Sequence, residues 1–131
     1  MSVFVDTSAL LAVLNSADDN HARAARTFRS LLQSDEALVT TNYVLVETMA
    51  LLQHRFGLGA VRRFQDDVSP VLGITWVEAE LHAAGTAALL TASRRQLSLV
   101  DCVSFTCMRR LGMTRAFHFD PHFQEQGFAN A

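Results

Sequence analysis

The sequence predicts an α/β fold, a three-layer α/β/α sandwich around a mostly parallel central sheet, and three observations carry that expectation. Short β-prone apolar runs alternate with helical stretches along nearly the whole chain, which calls for parallel strands covered on both faces. The 131 residues fit one domain, read here as 1–131, with no repeat, low-complexity tract or linker. Half of them are apolar against 18% charged, enough to bury a core and too apolar for a disordered chain.

The elements follow in order. Val3-Phe4-Val5 is short and β-prone, and Asp6-Thr7-Ser8 supplies helix-capping chemistry before the apolar run from Ala9 to Leu14. Asp18-Asp19-Asn20 offers a second cap, after which Ala24, Ala25, Phe28, Leu31 and Leu32 recur at helical spacing up to Ser34. Ala37 to Thr41 reads as a strand and Asn42 as the cap of a helix running to Phe56-Gly57. Leu58 to Val68 reads as one amphipathic helix stopped by Ser69-Pro70. Val71 to Val77 is β-prone, and Glu78 to Ala92 is helical. Ser98 precedes a helix from Leu99 to Leu111 that Gly112 terminates, and Arg115 to Phe119 alternates as a last central strand before the Asp120-Pro121 turn. The nine phenylalanines and Trp76 read as core, with one or two available to stack on an unpaired base.

Composition removes several function classes. The net charge is −2 and all 11 basic residues are arginines. Without lysine there is no Walker A loop, no Schiff-base chemistry and no phosphoacceptor aspartate with a lysine partner. Arg62-Arg63, Arg94-Arg95 and Arg109-Arg110 each form a pair able to fork onto phosphate, although a solvated helix face explains each alone. Cys102 and Cys107, five positions apart on one helix, project to different faces and do not suggest a disulfide. No apolar run approaches the roughly 20 residues of a membrane span, and Asp6 interrupts the start before a signal-peptide core can form, so a cytoplasmic protein without a membrane segment is expected.

In an open parallel sheet, ligands bind outside the carboxyl ends of the strands. Four acids meet that condition: Asp6 and Asp120 at strand ends, Glu47 a helical turn beyond the second strand, and Asp101 near the start of its helix. Each has a plain structural reading: a helix cap for Asp6 and Asp101, an ion pair with an arginine such as Arg55 for Glu47, an Asp-Pro turn for Asp120. Together they are harder to explain so, because four carboxylates on one edge repel one another unless divalent cations lie among them. All-oxygen ligation suits Mg²⁺ or Mn²⁺, and the chemistry such a site performs best is phosphodiester hydrolysis. Thr7 and Ser8, and Ser104 one turn after Asp101, are placed to hold waters around the ions, with capping and back-bonding to a helix carbonyl as their alternative roles.

These residues, Asp6-Thr7-Ser8-Ala9-Leu10, Glu47 within Tyr43-Val44-Leu45-Val46-Glu47-Thr48, Leu99-Val100-Asp101-Cys102-Val103-Ser104-Phe105, and Ala116-Phe117-His118-Phe119-Asp120-Pro121-His122-Phe123 with Gly127-Phe128, closely resemble PIN-domain ribonucleases. The likeness is to the toxin half of VapBC toxin–antitoxin pairs and runs over essentially the whole chain. It implies a Mg²⁺- or Mn²⁺-dependent endoribonuclease acting on transfer or ribosomal RNA ahead of messenger RNA. It further implies a homodimer, a cognate antitoxin, and catalytic and metal-binding roles for Asp6, Glu47, Asp101 and Asp120. In one departure, Ser104 stands where many members carry a further acid, which implies a weaker second metal. Arg94 and Arg95, in the loop before the Asp101 helix, are the arginines expected to bind RNA, because a loop reaches over a crevice edge where a mid-helix residue does not.

Three rivals remain. One is a catalytically inactive PIN-like module that binds RNA or protein, which the presence of all four acids disfavours. Another is a phosphatase or dehalogenase-like hydrolase with Asp6 as nucleophile, which lacks its second acid and its lysine. The last is a zinc site of Cys102, Cys107, His118 and His122, which shares a helix where a finger needs a hairpin.

Overall fold

The computed structural model describes residues 1–131. Five strands, β1 (Ser2–Val5), β2 (Ala37–Thr41), β3 (Gly73–Thr75), β4 (Arg115–Phe117) and β5 (Ala129–Asn130), form one sheet in the order β3-β2-β1-β4-β5. Every neighbouring pair is parallel, so the carboxyl ends share one edge. From β1 the chain builds outward to β2 and β3 on one side and later to β4 and β5 on the other, so the order reverses between β1 and β4. That reversal opens a crevice at the strand ends.

Seven helices cover the sheet: α1 (Thr7–Leu14), α2 (His21–Gln33), α3 (Asn42–Phe56), α4 (Leu58–Arg63), α5 (Ala79–Ala92), α6 (Leu99–Arg110) and α7 (Pro121–Glu125). Val3, Phe4 and Val5 on the central strand are fully buried, as a parallel strand covered on both faces requires. Aromatic packing fixes the elements that carry Asp101 and Asp120: Phe105 of α6 meets Phe123 of α7 edge-on at 4.9 Å, and Phe123 lies 6.3 Å from Phe4 of β1. Gly85 lets α5 approach α6 closely, since a Cβ there would stand 2.4 Å from Val103 Cγ2. No helix is long and apolar enough to cross a membrane.

Several local expectations need correction. Thr41 caps α3, its hydroxyl accepting from Val44 N at 3.2 Å, while the Asn42 side chain accepts from Val77 N at 2.6 Å and ties α3 to the end of β3. The segment Leu58 to Val68 is not one helix: α4 ends at Arg63, Phe64–Val68 forms a π-turn, and Ser69-Pro70 lies inside a 3₁₀ turn rather than after a stop. β3 is shorter than Val71 to Val77, β4 ends at Phe117 instead of Phe119, and β5 had no expectation at all. Trp76 and Phe56 are not core, being 67% and 48% exposed. Cys102 and Cys107 are buried free thiols, as their spacing indicated.

Candidate functional site

Three helices begin at the crevice, and an aspartate takes part in the N-terminal cap of each: Asp6 and Asp120 as the capping residues of α1 and α7, and Asp101 as the partner of the Ser98 cap of α6. Asp6 accepts from Ser8 N at 3.1 Å and Ser8 Oγ at 2.6 Å, both on Oδ2. Asp101 closes a reciprocal box with Ser98, accepting from Ser98 N at 3.2 Å while Ser98 Oγ accepts from Asp101 N at 3.0 Å. Asp120 accepts from His122 N at 2.9 Å through Oδ1. Each carboxylate thus commits one oxygen to its helix and keeps the other free. Glu47 lies further along α3, half-buried, next to Thr48, whose hydroxyl donates to Thr7 Oγ1 at 3.2 Å.

Asp101 and Asp120 lie close enough to Asp6 and to Glu47 for their charges to act on both. Burial pushes Asp6 up to about 7 from 3.8, against the opposing hydrogen bonds of Ser8, and the charges of Asp101 and Asp120 push it further in the same direction. Glu47 is raised by burial and by Asp101 and Asp120, with Thr7 opposing. Asp101 is raised by burial and by Asp120, with Ser98 opposing. None of Asp6, Glu47 and Asp101 has an ion-pair partner, so Glu47 is not explained by Arg55.

Of the residues expected to surround the acids, Ser8 and Thr7 are hydrogen-bonded across elements and Ser104 is not. Ser8 Oγ donates to Asp6 and accepts from Phe119 N at 2.9 Å, joining the Asp6 carboxylate to the segment that presents Asp120. Thr48 Oγ1 donates to Thr7 Oγ1 at 3.2 Å, joining α3 to α1 behind Glu47. Ser104 Oγ is fully buried one turn beyond Asp101 with no hydrogen-bond partner. Back-bonding to a helix carbonyl therefore does not explain it.

No three His, Cys, Asp or Glu side chains close tightly enough to enclose an ion. The fit to a divalent cation rests on chemistry: hard oxygen donors with raised affinity for protons, no arginine paired with any of the four acids, and an orphaned hydroxyl one turn beyond Asp101. The zinc arrangement is excluded by the same geometry, because Cys102 and Cys107 are buried in α6.

Sequence reasoning set His122 aside, yet its imidazole stands beside the Asp120 carboxylate. It lies 3.9 Å from Asp120, it accompanies Glu125 at 3.2 Å, and these partners raise its pKa, Glu125 most of all. Its signal was the Asp-Pro-His spacing, which puts the imidazole two residues from the Asp120 cap. Arg94 is held by Glu125 at 3.0 Å and extends this row along the rim, whereas Arg95 is exposed without an ion pair.

Comparisons with known proteins agree with this geometry. The PIN domain family model matches residues 3–129. The 23S rRNA-specific endonuclease VapC20 of Mycobacterium tuberculosis is 35% identical over 127 residues, covering 96% of this chain and 95% of that protein. Its crystal structure, described as that of a sarcin–ricin loop cleaving toxin, superposes with a TM-score of 0.88 at 34% identity over 98% of this chain and 97% of that one. VapBC2 from Rickettsia felis, bound to a fragment of its promoter DNA, matches with a TM-score of 0.73 at 11% identity over 100% and 98% of the two chains. FitAcB from Neisseria gonorrhoeae matches at 0.70 and 12% identity over 98% and 95%, and at such identities these two show the fold alone. The all-parallel sheet with its acids at the reversal of strand order, the family match and the full-length likeness to VapC20 together place this chain in the PIN-domain family, among its VapC-type members.

Proposed function

We propose that this chain, as one PIN-like domain spanning 1–131, is a VapC-type endoribonuclease toxin of the cytoplasm that hydrolyses ribosomal RNA at Asp6, Glu47, Asp101 and Asp120. A cognate antitoxin is its natural inhibitor. The observation that carries this reading is the unbalanced group of four acids at the β1/β4 crevice, three of them capping helices with one oxygen and keeping one free. A Mg²⁺ or Mn²⁺ ion bound there supplies Lewis acidity toward water and phosphate. The protein supplies the rest. Asp6, Glu47, Asp101 and Asp120 hold that charge at the mouth of the crevice, and the N-termini of α1 and α6 add positive dipole ends facing an incoming phosphate. Ser8 orients Asp6, and Ser104 offers a hydroxyl for an ordered water beside Asp101. Ribosomal RNA as the substrate class follows from the likeness to VapC20.

The test is cleavage of a hairpin RNA carrying the sarcin–ricin loop sequence. Cutting in Mn²⁺ or Mg²⁺, lost in EDTA and lost in Asp101→Asn with the fold retained, is the expected result. Equal cutting in EDTA, or full activity in Asp101→Asn, refutes it.

A further inference from the structure

Beside Asp120, and lined by none of the other three acids, a cleft of about 330 Å³ runs between the start of α2 and the β4–α7 turn. A smaller one of about 110 Å³ continues it along β4 and β5, the two sharing Arg23, His118, Phe119 and Asn130. The walls differ from those of a structural groove. The Arg23 guanidinium lies 4.9 Å over the Phe119 ring and reaches Asn20 at 3.2 Å, so it is held in place by a stack and an amide and has no carboxylate partner. Gln124 presents another amide from α7. His118 is 9% exposed, and its Nδ1 is 2.7 Å from the Asp120 carbonyl, so Nδ1 carries the proton and donates. Its Nε2 is then an acceptor, and it is buried without a partner, with the Asn130 side chain against the imidazole but closing no hydrogen bond on that nitrogen.

A cation stacked on an aromatic ring, with amides beside it, forms the set of groups that receives a nucleotide: charge for phosphate, a planar stack for a base, and donors and acceptors for a base edge. The cleft is large enough for one base and its ribose, and its opening is shared with Asp120. We propose that this cleft is the subsite for the RNA nucleotide adjoining the scissile phosphate. Arg23 grips the flanking phosphate and stacks with Phe119 against the base, and Gln124 and Asn130 read the base edge. The proposal rests on the ribonuclease reading and assigns it a direction: the substrate strand leaves the acids along α2. It places specificity on residues separate from the acidic cluster.

The experiment uses the sarcin–ricin hairpin RNA in Mn²⁺, with an abasic site introduced in turn at each nucleotide flanking the cut. Wild type is compared with Arg23→Ala and Gln124→Ala, both changes at the mouth of the cleft. On intact RNA each variant is expected to raise KM about ten-fold with kcat little changed, the size of one lost base or phosphate contact. At one flanking position the abasic RNA should cost wild type a similar factor and cost Gln124→Ala nothing more, which a merely structural role would not produce. Losses that multiply at every position, or variants that match wild type on intact RNA, overturn the subsite while leaving the nuclease intact. A wild type that cuts no RNA overturns the ribonuclease reading and the subsite with it.

Discussion

Asp6→Asn separates charge from structure at the centre of the site. The unfolded chain releases the Asp6 proton near 3.8, whereas the folded chain holds it to about 7. Between those values the folded state binds more protons, so stability falls as pH rises: nothing is lost below 3.8, and the full cost is present above 7. Integrating that difference gives a cost of about 1.5 kcal/mol near pH 5 and about 4 kcal/mol near pH 8.5. This is a large part of the ~5–15 kcal/mol that holds a domain together. Asparagine removes the titration and keeps the cap, because both Ser8 contacts converge on Oδ2, whose place a carboxamide oxygen can take.

Urea unfolding in EDTA at the two pH values measures it. Wild type should lose about 2 to 3 kcal/mol more than Asp6→Asn on going from about pH 5 to about pH 8.5, and the variant should be the more stable protein at the higher pH. A residual slope of the same sign should remain, because Glu47 and Asp101 are raised as well. Saturating Mn²⁺ should restore wild type at high pH and help the variant much less. A variant less stable than wild type at high pH, or one with an unchanged pH slope, refutes the reasoning and makes Asp6 a structural cap.

Gly85→Ala should lower Tm and cost about 1–3 kcal/mol, since its Cβ would meet Val103 Cγ2 at 2.4 Å and Val103 Cα at 3.2 Å; an unchanged Tm would mean that α5 and α6 part without penalty. The double change Arg94→Ala and Arg95→Ala should weaken RNA binding in Ca²⁺ across sequences and lower its salt dependence by about 1 to 2 units of slope, and an unchanged slope would assign the backbone contacts to other arginines. A homodimer is expected by light scattering at micromolar concentration, consistent with the exposed apolar surface of Val46, Trp76 and Leu90, and a monomer would contradict it.

The elements legible from sequence are those in which local chemistry and tertiary packing agree. Val3-Phe4-Val5 is β-prone and becomes the fully buried central strand, and the Ser98 cap before an apolar run becomes the start of α6. Where sequence reading fell short, the deciding interaction was non-local. In Phe64 to Val68 both apolar positions are buried as a helix would bury them, so the pattern is right and only the hydrogen-bond register changes, which side-chain spacing does not encode. β5 is two residues long, too short for any alternation, and exists because Phe128 packs on Phe105 and Phe123 and delivers Ala129 to Arg115. Trp76 lies just past β3, where the strand has already left the core, so its β propensity predicts nothing about burial.

At the site, the structural and functional readings of Asp6, Asp101 and Asp120 prove compatible, since a carboxylate has two oxygens and a helix cap uses one. Capping explains how the chain holds like charges together without a cation: each acid is fixed at a helix N-terminus, where dipole and backbone N–H groups offset part of the repulsion that burial aggravates. The offset is incomplete, because Asp6, Glu47 and Asp101 all remain raised. The sequence could place the four acids on one edge, since that follows from strand ends. It could not reveal that Ser8 bridges Asp6 to the backbone at Phe119, because residues 8 and 119 meet only when β1 and β4 pair. That one hydroxyl ties the position of the first acid to that of the last, so the spacing of the acids is set by the pairing of two strands from opposite ends of the chain.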